Sequence, residues 1–414
     1  MKKLNFLLIL TALITVSKDT TAQTTLDLNG YIRTYQGVLL NDNYDFVINQ
    51  NTLDLKLSYN KGNASLFANP YLYQYSDNKN KFDIRELYMD FTTNNIDLRI
   101  GKQQIIWGQA DGVFITDIVS PKNLSEFLLR DFDEIRIGVT AIKANIYTAN
   151  DYDIELVYIP TFTATISPDD NSIWKPNMEL PIQPTFDYSN KSVVNNLGNG
   201  EYFAKYHKST SNIELELIAA YTWDDDPSLH VSKELDQETM LISVINISPQ
   251  HHRLTVSGGS FSTEINDMIV RGEAAYYKGK QFQTSSPIAI ESLVEKNYYN
   301  YVIGVDKNIG EYRVSGQFIQ KVIIDYTEDI MYDEVDDMVT LMINKSILRE
   351  QARIELFGYF GLNNEDSFIR IRGFYFPYDG VTLETGYNIF NGEKGQFGQY
   401  DENDMAYIKL KYNF

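Results

Sequence analysis

The stretch Met405–Phe414, M-A-Y-I-K-L-K-Y-N-F, constrains the fold more tightly than any other part of this chain. Ile408, Leu410, Tyr412 and Phe414 share one parity; Lys409, Lys411 and Asn413 share the other. Strict two-residue alternation means a strand with one apolar and one polar face. The pattern recurs upstream. Leu53, Leu55, Leu57 and Tyr59 oppose Thr52, Asp54, Lys56 and Ser58, ahead of a tight turn at Asn60-Lys61-Gly62. Ile96, Leu98 and Ile100 oppose Asp97 and Arg99, and Ile213, Leu215, Leu217, Ala219 and Tyr221 oppose Glu214 and Glu216. Ile354, Leu356 and Phe360 oppose Arg353, Glu355 and Tyr359; Ile369 and Ile371 oppose Arg370 and Arg372; Val381 and Leu383 oppose Thr382 and Glu384. A soluble sandwich accommodates one such strand, with its charged face in water and its apolar face in a core. Many of them, with charge repeatedly on the hidden parity, fit better in a transmembrane barrel, where the apolar face meets lipid and the polar face lines the lumen.

The rest of the chain agrees. Residues 1–22 carry Lys2 and Lys3, the apolar run Leu4 to Val16, and small residues ending at Ala22. This is the layout of a secretory signal, expected to be cleaved after Ala22 and to leave residues 23–414 as a single barrel domain. There is no cysteine, which excludes a lipoprotein signal and disulfide or thiol chemistry. No later run reaches the roughly 18–20 apolar residues of a membrane-spanning helix. Tyr 30 and Phe 22 are enough for aromatic girdles at two interfaces. A formal net charge of −20 argues against a nucleic-acid partner. The expected fold class is all-β: a single antiparallel transmembrane β-barrel of about 18 strands, with 16 or 14 as alternatives, from strands of roughly 9–11 residues. Short periplasmic turns and long outer loops should alternate. Segments 163–200 and 224–250 are ambiguous in this reading.

Two resemblances follow from particular residues. The terminal Phe414, with Tyr412 two residues earlier, resembles the signal by which outer-membrane barrels are recognised by their assembly machinery. The segment Gly101-Lys102-Gln103-Gln104-Ile105-Ile106-Trp107-Gly108-Gln109-Ala110-Asp111-Gly112, continuing through Thr116-Asp117-Ile118-Val119-Ser120-Pro121-Lys122-Asn123-Leu124, resembles uncharacterised porin-like barrels of the alginate-export superfamily. Val270-Arg271-Gly272-Glu273-Ala274-Ala275-Tyr276 resembles a later strand of that group. The resemblance implies an outer-membrane pore for solute passage, sometimes coupled to an envelope export system. The Gln after the cleavage site resembles secreted proteins of Bacteroidota.

A pore acts through its lumen. Parity assigns to it the bases Arg313, Arg353, Arg370, Arg372, Lys409 and Lys411, together with Arg99, Arg253, Arg271 and Lys321. The lumen acids are Asp54, Asp97, Glu214, Glu216, Glu273, Glu355 and Glu384. Arg353, Arg370, Arg372, Lys409 and Lys411 should form a basic ladder on one wall, favouring small polar solutes with anionic groups. The loop 108–134 follows the Trp107-Gly108 break and is too apolar for a solvated loop. Folded inward it would narrow the lumen, with Trp107, Asp111, Asp117, Lys122, Arg130, Asp131 and Asp133 setting local selectivity. The alternatives are a component of an envelope export system, a structural or adhesive barrel with a closed lumen, and, last, a barrel-embedded hydrolase. For the last, His207 near Ser209 and His251/His252 near Ser257 are unaccompanied by any hydrolase motif. The expected partners are outer-membrane lipid and lipopolysaccharide, the barrel-assembly machinery, a small solute and a homo-oligomer. No cofactor, metal or catalytic residue is expected.

Overall fold

The computed structural model describes residues 25–41, 43–75, 80–148, 152–176, 182–236, 238–239 and 241–414; the expected signal segment lies outside them. Eighteen strands run antiparallel in chain order, from Thr25–Leu39 to Met405–Asn413. The sheet closes on itself where Tyr31 to Leu39 of the first strand pair with Asn413 to Met405 of the last. Beyond that ladder, the Phe414 N–H donates to the Gly30 carbonyl at 3.0 Å and the Gly30 N–H donates to the Phe414 carbonyl at 3.1 Å. The expected count of 18 and the closed antiparallel barrel are what the structure shows. Among the described residues the barrel sheet has no free edge, which matters in lipid because an unpaired backbone group has no water to bind.

Parity explains the burial. On the first strand Leu28 and Ile32 are more than half exposed, while Arg33 and Tyr35 are 3 % exposed. On the last, Ile408, Leu410 and Tyr412 point out and Met405, Tyr407 and Lys409 point in. A continuous belt of exposed Leu, Ile and Tyr is unfavourable in water and favourable in a bilayer. No helix among the described residues is long and apolar enough to cross a membrane; the strands do so.

Connections differ at the two ends. One end has tight turns, such as Asn266-Asp267, whose positive φ values of 49° and 61° suit a right-twisted hairpin. The other end carries the long connections 104–138, 160–200, 224–252, 324–334 and 392–404. The two ambiguous segments belong to these connections. Thr185–Phe186, Ser228–Leu235 and Ile242–Gln250 pair with one another in a small separate sheet and add no barrel strand.

Candidate functional site

The connection between Gln103 and Val139 leaves the wall and folds into the barrel. Its inward course is longer than the expected 108–134, because Ile105 and Trp107 are already buried at its start and Ile135 near its end. The apolar residues responsible pack against apolar stretches of the inner wall. Ile105, Trp107, Ile115 and Val119 join Val157, Phe203, Ile218, Val256 and Tyr277 in one cluster. Phe127, Leu128 and Leu129 join Tyr35, Tyr359, Phe368, Phe390 and Tyr407 in another. Trp174, from the connection 160–200, lies on Phe127 with ring centroids 6.2 Å apart, and its carbonyl accepts from the Tyr400 hydroxyl at 3.0 Å. That second connection thus also turns inward at the long-loop end.

Polar pins fix the plug to the wall on every side. Glu273 is 5 % exposed. It accepts from the backbone N–H of Gln109, of Ala110 at 2.6 Å and of Thr116 at 3.0 Å, and from the Thr116 hydroxyl at 2.7 Å. The Asp111 N–H donates to Gln317 at 3.1 Å, and Arg271 binds the Asp111 carboxylate and Asp306. The Trp107 indole N–H donates to Glu155. Asp131 holds Arg33 of the first strand at 2.7 Å and Lys409 of the last at 2.6 Å. Glu134 accepts from the Tyr31 hydroxyl at 2.7 Å and from Arg33 at 3.1 Å. Burial alone would raise the Asp131 carboxyl, but Lys409 and Arg33 outweigh it and hold it well below the usual carboxylate range. The Trp107-Gly108 break has a steric reason: a Cβ on Gly108 would stand 2.9 Å from the Asp117 Cβ. Gly112, at φ +74°, presses against the wall so closely that a Cβ would strike the Tyr359 hydroxyl and the Phe357 ring.

The bases of the expected ladder lie on three of the last four strands and point inward. Arg372 is paired with Glu355, and Lys409 with Asp131. Arg353 lies over the Phe374 ring at 4.4 Å, Arg370 donates to the Leu128 carbonyl at 3.1 Å, and Lys411 lies over Tyr31 at 4.1 Å. None of these last three has a carboxylate partner among the described residues. Arg313 sits at the short-turn mouth, half exposed and 3.6 Å from Asp306. Arg253 departs from its expected lumen position: it stacks outward at the rim on Tyr221 and Trp223.

The acids are scattered and mostly engaged. Asp54 binds Arg85 at 3.3 Å and Asn69 at 2.7 Å. Glu216 binds Lys205 at 3.3 Å, Asp97 accepts from Tyr147 at 2.9 Å, and Glu384 from Tyr407 at 2.7 Å. Glu214 is exposed at the short-turn end. In the plug, Asp117 holds Arg136 at 2.7 Å and Lys122 at 3.6 Å, Arg130 holds Glu126 at 2.6 Å, and Asp133 is exposed. Tyr412 and Phe414 face outward, about half exposed. His207 binds Asp153 at 2.8 Å and His251 binds the Asp224 carbonyl at 2.7 Å, so neither His engages a serine. Arg33 and Glu134, central to the pinning, were not singled out by sequence. Arg33 shares the inward parity of Tyr31 and Tyr35, which is the signal that marks it.

A family model described as "Protein of unknown function (DUF1302)" matches residues 12–327. No curated protein matches the sequence. Among solved structures, OccK8 (OprE) of Pseudomonas aeruginosa superposes with TM-score 0.56 at 8 % identity, over 94 % of this chain and 98 % of that one. OccAB3 of Acinetobacter baumannii gives TM-score 0.54 at 11 % identity, over 95 % and 100 %. OccK2 (OpdF) of Pseudomonas aeruginosa, in complex with glucuronate, gives 0.56 at 8 % identity, over 94 % and 98 %. At these identities the likeness is one of fold.

Proposed function

We propose that this chain, which belongs to the family described as Protein of unknown function (DUF1302), is an outer-membrane channel for small polar solutes bearing a carboxylate. The observation that carries this reading is the pairing of an in-folded plug with one wall of inward bases. Arg353, Arg370 and Lys411 there form no ion pair among the described residues, so their positive potential is left to act on the lumen. The apolar outer belt supports a lipid-bathed site. Cleavage after Ala22, recognition of Tyr412 and Phe414 during assembly, contact with lipopolysaccharide and self-association belong to the same reading. So does the alginate-export-like character of residues 101–124. The test is single-channel conductance of the refolded chain in a planar bilayer, with selectivity taken from reversal potentials. Steady conductance with anion preference, rising when residues 108–134 are removed, is the expected result. The dense pinning of the plug favours a second reading, a structural barrel with a closed lumen; absence of current in both forms of the folded protein would select it.

A further inference from the structure

The cavity that remains at the long-connection end is ≈ 350 Å³, within the range of small-molecule sites. Its floor is the plug bend Gly112–Ile115, and its walls come from the strands Tyr312–Ile323, Val335–Ile347 and Ala352–Gly361. Three charged side chains line it: Lys321, Asp336 and Asp366. Asp366 is engaged, accepting from the Phe397 N–H at 2.7 Å and the Gly398 N–H at 3.3 Å. Lys321 and Asp336 are different. They stand directly opposite each other in the ladder, the placement at which opposite charges ordinarily pair. Yet they make no ion pair. The Lys321 ammonium lies instead among the rings of Tyr298, Phe282 and Tyr332, at 5.2, 5.3 and 5.7 Å from their centroids. Neither charged group has a hydrogen-bonded partner among the described residues.

We infer that this vestibule binds a small zwitterion of the α-amino-acid class. The carboxylate binds Lys321, the ammonium binds Asp336, and the side chain lies on Phe114, Met338 and Phe397. A ligand with both charged groups on one carbon offers Lys321 and the exposed Asp336 a partner each at the same time; a purely anionic or cationic ligand engages only one of them. The inference deepens the channel reading and rests on it, since the bound zwitterion is a solute held above the plug.

The test is titration calorimetry on the full chain folded in detergent micelles, with L-leucine, N-acetyl-L-leucine and L-leucine methyl ester as probes. Leucine should bind at least ten-fold more tightly than either derivative. Lys321→Met should weaken leucine ten-fold or more and leave the ester unchanged, because the ester carries no carboxylate. Asp336→Asn should weaken leucine and leave the N-acetyl compound unchanged. Absence of leucine binding by the folded protein, or leucine binding unaltered by both substitutions, overturns the inference. The readout does not require current: a barrel that binds leucine but never conducts refutes the channel and keeps the site, and a conducting barrel that binds none does the reverse.

Discussion

Glu273→Gln tests whether the plug is held by the wall. The wild-type carboxylate takes four hydrogen bonds from the plug, two on each oxygen: Gln109 and Ala110 on one, Thr116 backbone and hydroxyl on the other. The amide keeps one acceptor oxygen and turns an N–H₂ toward the other two donors. At ~1.5–3 kcal/mol for each hydrogen bond to a charged group, losing two of them costs about 3–6 kcal/mol. Little screening discounts this, because Glu273 is 5 % exposed. With roughly 1.4 kcal/mol per factor of ten, docking of residues 109–116 weakens by about 10²–10⁴. Hydrogen exchange reads it directly. The amides of Gln109, Ala110 and Thr116 should lose that much protection while amides of the barrel strands keep theirs. In a bilayer the same variant should show larger and noisier single-channel current. Unchanged exchange at those three amides in a correctly folded variant would refute the pinning argument.

Replacing Arg353 and Arg370 together by Gln removes two positive charges that form no ion pair among the described residues; reversal potentials should move toward cations. Arg372→Gln differs, since it leaves Glu355, 7 % exposed, without its ion pair; a loss of about 3–5 kcal/mol in denaturation midpoints is expected. Gly112→Val places a branched side chain at φ +74° against Tyr359 and Phe357; it should displace the bend, measured as increased protease cleavage within 108–117. The Asp131 carboxyl is held below its ordinary value of 3.8. Its contribution is therefore present above that value and lost as pH falls through the lower folded value. Current noise should stay flat from about pH 8 to 5 and rise only below about pH 4.

The barrel was legible because lipid reverses the usual rule of burial in a way that alternation records. Ile408, Leu410 and Tyr412 against Lys409 and Lys411 display it in one strand, and Glu216, Glu355 and Arg372 stand opposite the exposed residues of theirs. The ends of the interactions were not legible. Glu273 reads as a lining acid, yet its donors lie 157 and more residues away on the plug. Only closure of the barrel brings them together. Arg253 shows how the phase of a strand can be misread: it shares the parity of exposed Thr255 and Ser257, while buried Leu254 and Val256 stand on the other. Trp174 was hidden for a different reason: its segment has no strand period, and its burial against Phe127, Phe390 and Tyr400 depends on three separate connections converging.

The position of Asp131 has a consequence for the order of assembly. Arg33 and Lys409 flank the seam where the first and last strands meet, and Asp131 joins both from inside, 278 residues before Lys409 in the chain. Asp131 can hold both cations only once the first and last strands lie side by side, whether its segment enters before the seam shuts or afterwards through the open mouth of the barrel. Docking at this point therefore depends on closure, a pairing of very high contact order. Once complete, Asp131 holds both sides of the seam from within, so opening the seam also breaks these two ion pairs, and the finished molecule is expected to unfold through a slow opening step.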